Sequence, residues 1–200
     1  TLLVYFSPTG FAGEWWHEGH ARALGYSSGA LDLLLTISGV EGTLWRRVTT
    51  AGALVQELVI PSEAITLDVR GDRVVFAGND GEPYADYVAM LDLAGVELWR
   101  HEQLDGVPFS VQGLALGPSG ELALNARSSA PSFDRLFMMA PDGTIEWTHD
   151  LDFEGFGVVT VDMEIGDDGA VVLVGRGSWS TPEDDYVSPA WIARYAGPSE

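Results

Sequence analysis

Acidic and aromatic side chains that could contact a ligand lie together in three segments of the chain, at residues 79–87, 127–134 and 177–186. Each segment is rich in Gly, Pro, Ser or Asn, which is typical of turns and loops. Carboxylates mixed with aromatic rings on one surface suit a sugar, a cationic ligand or a protein partner. The predicted ligand-binding residues are Asp80, Glu82, Tyr84, Asp86, Asp134, Trp179, Glu183, Asp185 and Tyr186.

Paired carboxylates in these segments raise the question of catalysis. Glu183 and Asp185 lie two residues apart, and pairs of carboxylates hydrolyse glycosidic bonds. The sequence has no G-x-S-x-G elbow, no P-loop, no dinucleotide-binding G-x-G-x-x-G and no H-E-x-x-H. We therefore predict a non-catalytic ligand- or protein-binding or scaffold module with no catalytic residue. The alternative is a carbohydrate-active hydrolase or lyase that uses these carboxylates.

Three of the four histidines follow a tryptophan by two residues and precede a carboxylate. The pairs are Trp15 with His17, Trp99 with His101, and Trp147 with His149. Residues two apart on a strand share a face, so each indole and imidazole point the same way. A zinc ion needs its ligands within about 2.3 Å, whereas these histidines belong to separate repeats, and His20 beside His17 makes only a pair. The pattern predicts packing residues and no metal site.

Two Asp-Gly segments superficially resemble calcium loops, at Asn79-Asp80-Gly81 and Asp167-Asp168-Gly169. Neither has the alternating oxygen ligands and distal carboxylate of an EF-hand. Asp-Gly is ordinary turn chemistry, so both segments are predicted to be structural turns.

The elements that position these residues follow from an internal repeat. A turn followed by Trp occurs at residues 92–99 and 140–147 and more loosely at 7–15, and a fourth copy at 50–56 has Gln in place of Trp. The marker positions 15, 56, 99 and 147 are separated by 41, 43 and 48 residues. Glycines 29, 71, 120 and 169 each precede an apolar run and have nearly the same period. Repeats of about 40–50 residues with four strands each indicate propeller blades.

The predicted fold is therefore an all-β β-propeller of about four four-stranded antiparallel blades. In the third full repeat the strands are predicted at Gln112–Leu116, Glu121–Ala126, Arg135–Ala140 and Thr144–His149. The three acidic and aromatic segments fall between the second and third strands and so share one end of the propeller, which we call the rim. The predicted boundaries are a partial blade at 1–19, blades at 20–61, 62–107 and 108–155, and an incomplete blade at 156–200.

The Asp/Pro-x-Gly-x-x-x-Trp pattern resembles the pyrroloquinoline-quinone-like (quinoprotein-like) β-propeller repeat family over nearly the whole chain. The resemblance implies that Trp15, Trp99 and Trp147 dock neighbouring blades together. Quinone dehydrogenases of this kind add vicinal cysteines and a calcium ion, and this chain has no cysteine, so no cofactor is predicted. Because Leu2–Phe6 and Glu14–His17 match only the last two strands of a blade, we expect a portion of a larger or incompletely closed propeller, whose remaining blades would be partners.

The net charge of the chain limits the classes of molecule that it could bind. The chain has 30 acidic residues against 10 basic ones, all arginine, and a formal net charge of -20. Such a surface repels nucleic acid and anionic lipid, and no apolar run approaches the ~20 residues of a membrane span. The expected partner is a protein or a carbohydrate. An extracytoplasmic or secreted location is expected, and Thr1 within an apolar run indicates a processed or excised piece.

Overall fold

The computed structural model confirms the all-β architecture. It describes residues 2–7, 10–16, 20–27, 29–37, 41–60, 62–79, 86–129, 132–151, 157–180, 186–187 and 190–196. The described residues form eighteen strands and no helix, and accordingly none of them belongs to a helix long and apolar enough to cross a membrane.

The strands follow the chain in order. They are β1 (Leu2–Ser7), β2 (Gly10–Trp16), β3 (His20–Ser27), β4 (Ala30–Thr36), β5 (Thr43–Thr49), β6 (Leu54–Ile60), β7 (Glu63–Arg70), β8 (Arg73–Asn79), β9 (Asp86–Asp92), β10 (Glu97–His101), β11 (Ser110–Leu116), β12 (Leu122–Ser129), β13 (Ser132–Met139), β14 (Ile145–Asp150), β15 (Gly157–Ile165), β16 (Val171–Ser180), β17 (Tyr186–Val187) and β18 (Ala190–Tyr195).

These strands form one hairpin and four antiparallel sheets. The hairpin is β1–β2, and the four blades are β3–β6, β7–β10, β11–β14 and β15–β18. In the fourth blade β18 pairs with β16, and the short β17 also pairs with β16. The first strands of the four blades contact one another in sequence, β3 with β7, β7 with β11 and β11 with β15. Among the described strands no hydrogen-bonded pairing joins the first sheet to the last, so the blades form an open arc around this inner line.

Two rim segments are more regular than predicted. The segment 127–134 was expected to be a long loop, but β12 extends to Ser129 and β13 begins at Ser132, which leaves two residues between the strands. The strand ladder continues to Ser129 and Ser132, and Arg127 and Asp134 face each other across it as an ion pair. Trp179 was also expected in a loop, but it lies in β16 with its backbone paired to Val187. The loop assignment was wrong at both places, because polar composition does not prevent a hairpin from continuing its ladder.

The hydrophobic core lies between neighbouring sheets. The first and second blades share a cluster that includes Trp45 and Phe76, the second and third share one that includes Val75 and Phe137, and the third and fourth share one that includes Leu136. The second and third strands of a blade are therefore buried on both faces, which explains apolar runs such as that of β4, whereas the outermost β14 is mostly exposed. This arrangement is that of propeller blades packed face to face.

Trp99 docks the second blade onto the third, as predicted. Its indole Nε1 donates a hydrogen bond to the carbonyl oxygen of Pro141 at 3.0 Å. The ring covers Gly143, where an added Cβ would lie 2.9 Å from the indole and where φ is +86°. Only glycine satisfies both constraints. Trp147 packs against the cluster between the third and fourth blades.

Gln56 occupies the position of the repeat tryptophan in the first blade. Its side chain and that of Leu58 lie against Gly95, at 3.6 and 3.1 Å from the site of an added Cβ. Leu58 also packs on the cluster between the first and second blades. The docking position is thus used in all three full blades, although only two of them place an indole there.

Trp45, which lies outside the repeat pattern, is the most completely buried indole that the structure describes, at 1% exposure. Its Nε1 donates a hydrogen bond to Asp32 Oδ1 at 2.9 Å. Arg47 Nη1 lies 3.6 Å from Asp32 Oδ2. Burial raises the pKa of Asp32 above its usual value, while Arg47 and the Trp45 hydrogen bond oppose the shift. The buried Asp32 carboxyl is thus held by an indole and a guanidinium of the neighbouring strand.

Candidate functional site

The two ends of the arc differ in how their strands are connected. At one end, tight turns join first to second and third to fourth strands, with glycines of positive φ such as Gly71 and Gly143. We call this the turn end. At the rim, six residues separate β4 from β5 and β8 from β9, two separate β12 from β13, and five separate β16 from β17. The turn-end connections have two to five residues, whereas β10 and β11 at the rim are separated by eight, so the longest connections lie at the rim, where a rigid scaffold positions them.

Asp86 begins β9 at the rim and is engaged in joining blades. Its carboxylate accepts hydrogen bonds from the Asn79 side-chain amide at 2.8 Å, the Ser110 hydroxyl at 3.2 Å and the Val111 backbone amide at 2.8 Å. The Asp86 amide in turn donates to the Phe109 carbonyl oxygen. The residue is 5% exposed. Since residues 109–111 enter the third blade, the structure gives Asp86 a role in blade packing.

Asp134 occupies the equivalent position in the third blade, thirteen residues before the repeat tryptophan, as Asp86 does in the second. Arg127 donates to its Oδ2 at 2.5 Å, and its Oδ1 is buried without a hydrogen-bond partner in the described part of the chain. In the first blade Thr43 takes this position, and its hydroxyl accepts the Ala64 amide of the next blade at 2.9 Å. Thr43 and Asp86 thus each accept a hydrogen bond from the next blade, whereas the hydrogen bonds described for the Asp134 carboxylate stay within its own hairpin.

The other predicted ligand-binding residues divide into two groups. Asp80, Glu82, Tyr84, Glu183 and Asp185 lie outside the described residues. Trp179 and Tyr186 lie on the paired strands β16 and β17, so their backbones stand at the rim of the fourth blade. The structure therefore places Asp86 at the junction of the second and third blades and Asp134 within the β12–β13 hairpin, and it places the backbones of Trp179 and Tyr186 on one hairpin.

Two of the histidines, His101 and His149, lie at junctions between blades. His101 Nε2 donates to the Gly143 carbonyl oxygen at 2.9 Å, and the His149 ring contacts that of Tyr195 at 4.8 Å between centroids. His20 is exposed, and His17 lies outside the described residues. Within the described ranges, no three or more His, Asp or Glu side chains gather where a metal ion could be held.

Asp168 forms a turn, as predicted for its Asp-Gly segment. Its Oδ1 accepts the Ala170 amide at 3.1 Å, and its Oδ2 pairs with Arg194 at 2.5 Å. The backbone hydrogen bond from Ala170 and then the Arg194 guanidinium lower the pKa of this carboxyl. In the segment Asn79-Asp80-Gly81, the side-chain amide of Asn79 donates a hydrogen bond to Asp86. Residues 80–81 lie outside the described residues.

Most arginine side chains form ion pairs with carboxylates of the same chain. Nine of the ten arginines have a carboxylate oxygen within 4.0 Å: Arg22, Arg46, Arg47, Arg70, Arg73, Arg100, Arg127, Arg135 and Arg194. With 30 acidic residues against 10 arginines, most carboxylates of the chain have no arginine to offset their charge. The surface therefore attracts cationic groups.

One concave surface was not predicted from the sequence. The first strands of the four blades enclose a groove of about 630 Å³ toward the turn end, lined by residues that include Tyr26, Asp68, Arg70 and Glu164. We call it the axial groove. Its residues come from four repeats, so no local segment announces it. The available signal is one equivalent position on the first strands, which carries Asp68 in the second repeat and Glu164 in the fourth. The third repeat has Ala115 there.

Comparison with known proteins supports the fold. The β-propeller domain of the trilobed protease from Pyrococcus furiosus matches with a TM-score of 0.60 at 8% identity, over 92% of this chain and 56% of that one. BamB from Moraxella catarrhalis matches with a TM-score of 0.56 at 13% identity, over 88% and 51%. A quinoprotein alcohol dehydrogenase-like protein from Bacteroides thetaiotaomicron matches with a TM-score of 0.50 at 14% identity, over 64% and 33%.

These likenesses confirm the predicted resemblance to quinoprotein-like propellers at the level of fold. The chain spans about half the length of the first two structures. No protein-family model matches the sequence, and no curated protein matches it.

Proposed function

We propose that this chain is a non-catalytic binding or scaffold module that holds a protein partner through its rim. The observation that carries the proposal is the asymmetry of the arc, with connections of two to five residues at the turn end and connections of up to eight residues, which include the acidic and aromatic segments, at the other. Propeller strands and their interblade contacts provide a rigid support, and variable connections on such a support are the usual place for recognition. An extracytoplasmic or secreted location remains a prediction from the sequence.

The proposed contact residues lie mainly in the second and fourth blades. Asp80, Glu82 and Tyr84 belong to the connection between β8 and β9, and Glu183 and Asp185 belong to that between β16 and β17. Trp179 and Tyr186 flank the second of these connections. Asp86 and Asp134 complete the proposed set, and hydrogen bonds within the chain fix the position of both carboxylates.

A rim variant tests this proposal. Glu82→Gln combined with Glu183→Gln removes two rim charges, and Glu97→Gln combined with Glu146→Gln removes two exposed charges from the outer strands β10 and β14. In affinity capture with quantitative mass spectrometry, we expect a protein retained by the wild type and the outer-strand control to be at least about tenfold depleted on the rim variant, since lost interface contacts act mostly on dissociation.

Equal retention by the wild type and both variants would contradict a rim interface. Release of reducing sugar from a polysaccharide, abolished by Glu183→Gln, would instead identify the chain as a carbohydrate-active enzyme.

A further inference from the structure

The axial groove lies toward the turn end of the arc and is lined by side chains different from those of the rim. It is lined by the turn-end halves of β3, β7, β11 and β15, including Leu24, Thr66, Leu116 and Asp162. A second cavity of about 250 Å³ adjoins it on the rim side and shares Thr66, Leu114 and Asp162 with it. The two together form one concave surface along the inner strands.

The length of this surface suits an extended chain. Along β11 the two cavities are lined continuously from Val111 to Leu116. Six residues of a strand span about 20 Å at roughly 3.4 Å per residue. An extended peptide segment of about six residues would therefore match it.

Negative charge without a counterion lies on one wall of the groove. Asp162 and Glu164 are exposed on β15 and, two residues apart, share a face. Neither forms an ion pair with an arginine in the part of the chain that the structure describes. Asp68 adds a third carboxylate, which accepts the Val69 and Leu116 amides at 2.7 Å each. Cationic side chains are the groups that this wall attracts.

The facing wall is apolar. Leu24 and Tyr26 are 56% and 55% exposed, and both line the groove from β3. They also share a face, because they lie two residues apart. Large side chains that are exposed together in a concavity offer contact area to a ligand. The groove therefore pairs an apolar wall with an acidic one.

Arg70 shows how this groove accommodates a guanidinium. Its Nη1 donates to the carbonyl oxygens of Leu116 at 3.2 Å and Ile165 at 3.1 Å, and its Nη2 lies 3.4 Å from Asp167 Oδ1. One arginine of the second blade thus reaches the third and fourth blades. The ends of the first strands present acceptors that suit arginine geometry.

We propose that the axial groove binds an extended segment of another protein in which arginine or lysine alternates with apolar residues. Basic side chains pair with Asp162 and Glu164, and apolar side chains pack on Leu24 and Tyr26. Alternation follows from the period of two in an extended chain, whose successive side chains face opposite walls. This site is separate from the rim and does not depend on the function proposed there.

The test uses fluorescein-labelled Arg-Leu-Arg-Leu-Arg-Leu and fluorescence anisotropy. Asp162→Asn combined with Glu164→Gln is expected to weaken binding at least tenfold. The outer-strand control Glu97→Gln combined with Glu146→Gln, which carries the same change of charge, should stay within twofold of the wild type. Tyr26→Ser should weaken binding of this peptide but not of Arg-Ser-Arg-Ser-Arg-Ser.

Equal weakening in the groove variant and the outer-strand control would overturn the proposal, because binding would then follow net charge alone. Absence of measurable binding by the folded wild type would overturn it as well. The rim variant Glu82→Gln with Glu183→Gln should bind the peptide like the wild type, so the two proposals fail separately.

Discussion

Trp45→Ala is expected to lower the free energy of unfolding by about 3–5 kcal/mol, the usual range for truncating a buried tryptophan. For a chain of this size the melting temperature would fall by roughly 10 °C. The indole is buried between the first and second blades, so its loss leaves a cavity there. It also removes the donor to Asp32, whose carboxylate is itself fully buried. Thermal and chemical denaturation of the purified chain measure both quantities.

A second variant at Trp45 separates packing from hydrogen bonding, and a variant at another tryptophan provides a comparison. Trp45→Phe keeps an aromatic ring and loses the hydrogen bond to Asp32, so a smaller loss is expected. Trp147→Ala removes an indole that is only half-buried, and its cost should lie below that of Trp45→Ala. If Trp147→Ala were the more damaging substitution, the placement of Trp45 at the centre of a blade junction would be wrong.

Asp86→Ala is expected to destabilise the chain by about 2–4 kcal/mol. The substitution leaves the Asn79 amide, the Ser110 hydroxyl and the Val111 backbone N–H without their acceptor. Each unsatisfied donor costs on the order of 1–3 kcal/mol when buried, although Val111 and Ser110 are only partly so. Urea unfolding followed by intrinsic fluorescence measures the change.

Asp134→Ala is the matched control, because it removes the equivalent carboxylate of the next blade. Its carboxylate accepts hydrogen bonds from Arg127, whose side chain is 40% exposed, and such pairs contribute about 0–1 kcal/mol. Asp86→Asn keeps one acceptor oxygen and should cost less than Asp86→Ala. Equal unfolding free energies for Asp86→Ala and the wild type would show that Asp86 does not join blades and would leave it only as a proposed ligand contact.

The repeat and its docking residues could be predicted from sequence because they are local. Glycine and tryptophan at a fixed spacing mark a turn and the strand that follows it, and Trp99 and Gly143 meet as that pattern requires. Trp45 gives no such signal, since it lies inside a strand without a neighbouring turn marker. A clue was available in Asp32, a carboxylate inside an apolar run that pairs in register with Arg47.

The roles of Asp86 and Asp134 could not be predicted from their own segments. Both residues follow segments typical of loops. The donors that form hydrogen bonds to the Asp86 carboxylate belong mainly to the next blade. The shared spacing of thirteen residues before the docking position is the signal that would have revealed a repeated structural acceptor. The axial groove was hidden for a related reason, because four distant repeats each supply only part of its lining.

Hydrogen exchange of the indole N–H groups, followed by NMR and assigned with Trp→Phe variants, tests the face-to-face packing of blades most directly. Trp45 should exchange slowest because it is buried and hydrogen bonded to Asp32, and Trp99 should be protected by Pro141 of the next blade. Exchange of both indoles at the rate of free tryptophan would contradict blades that are joined through these residues.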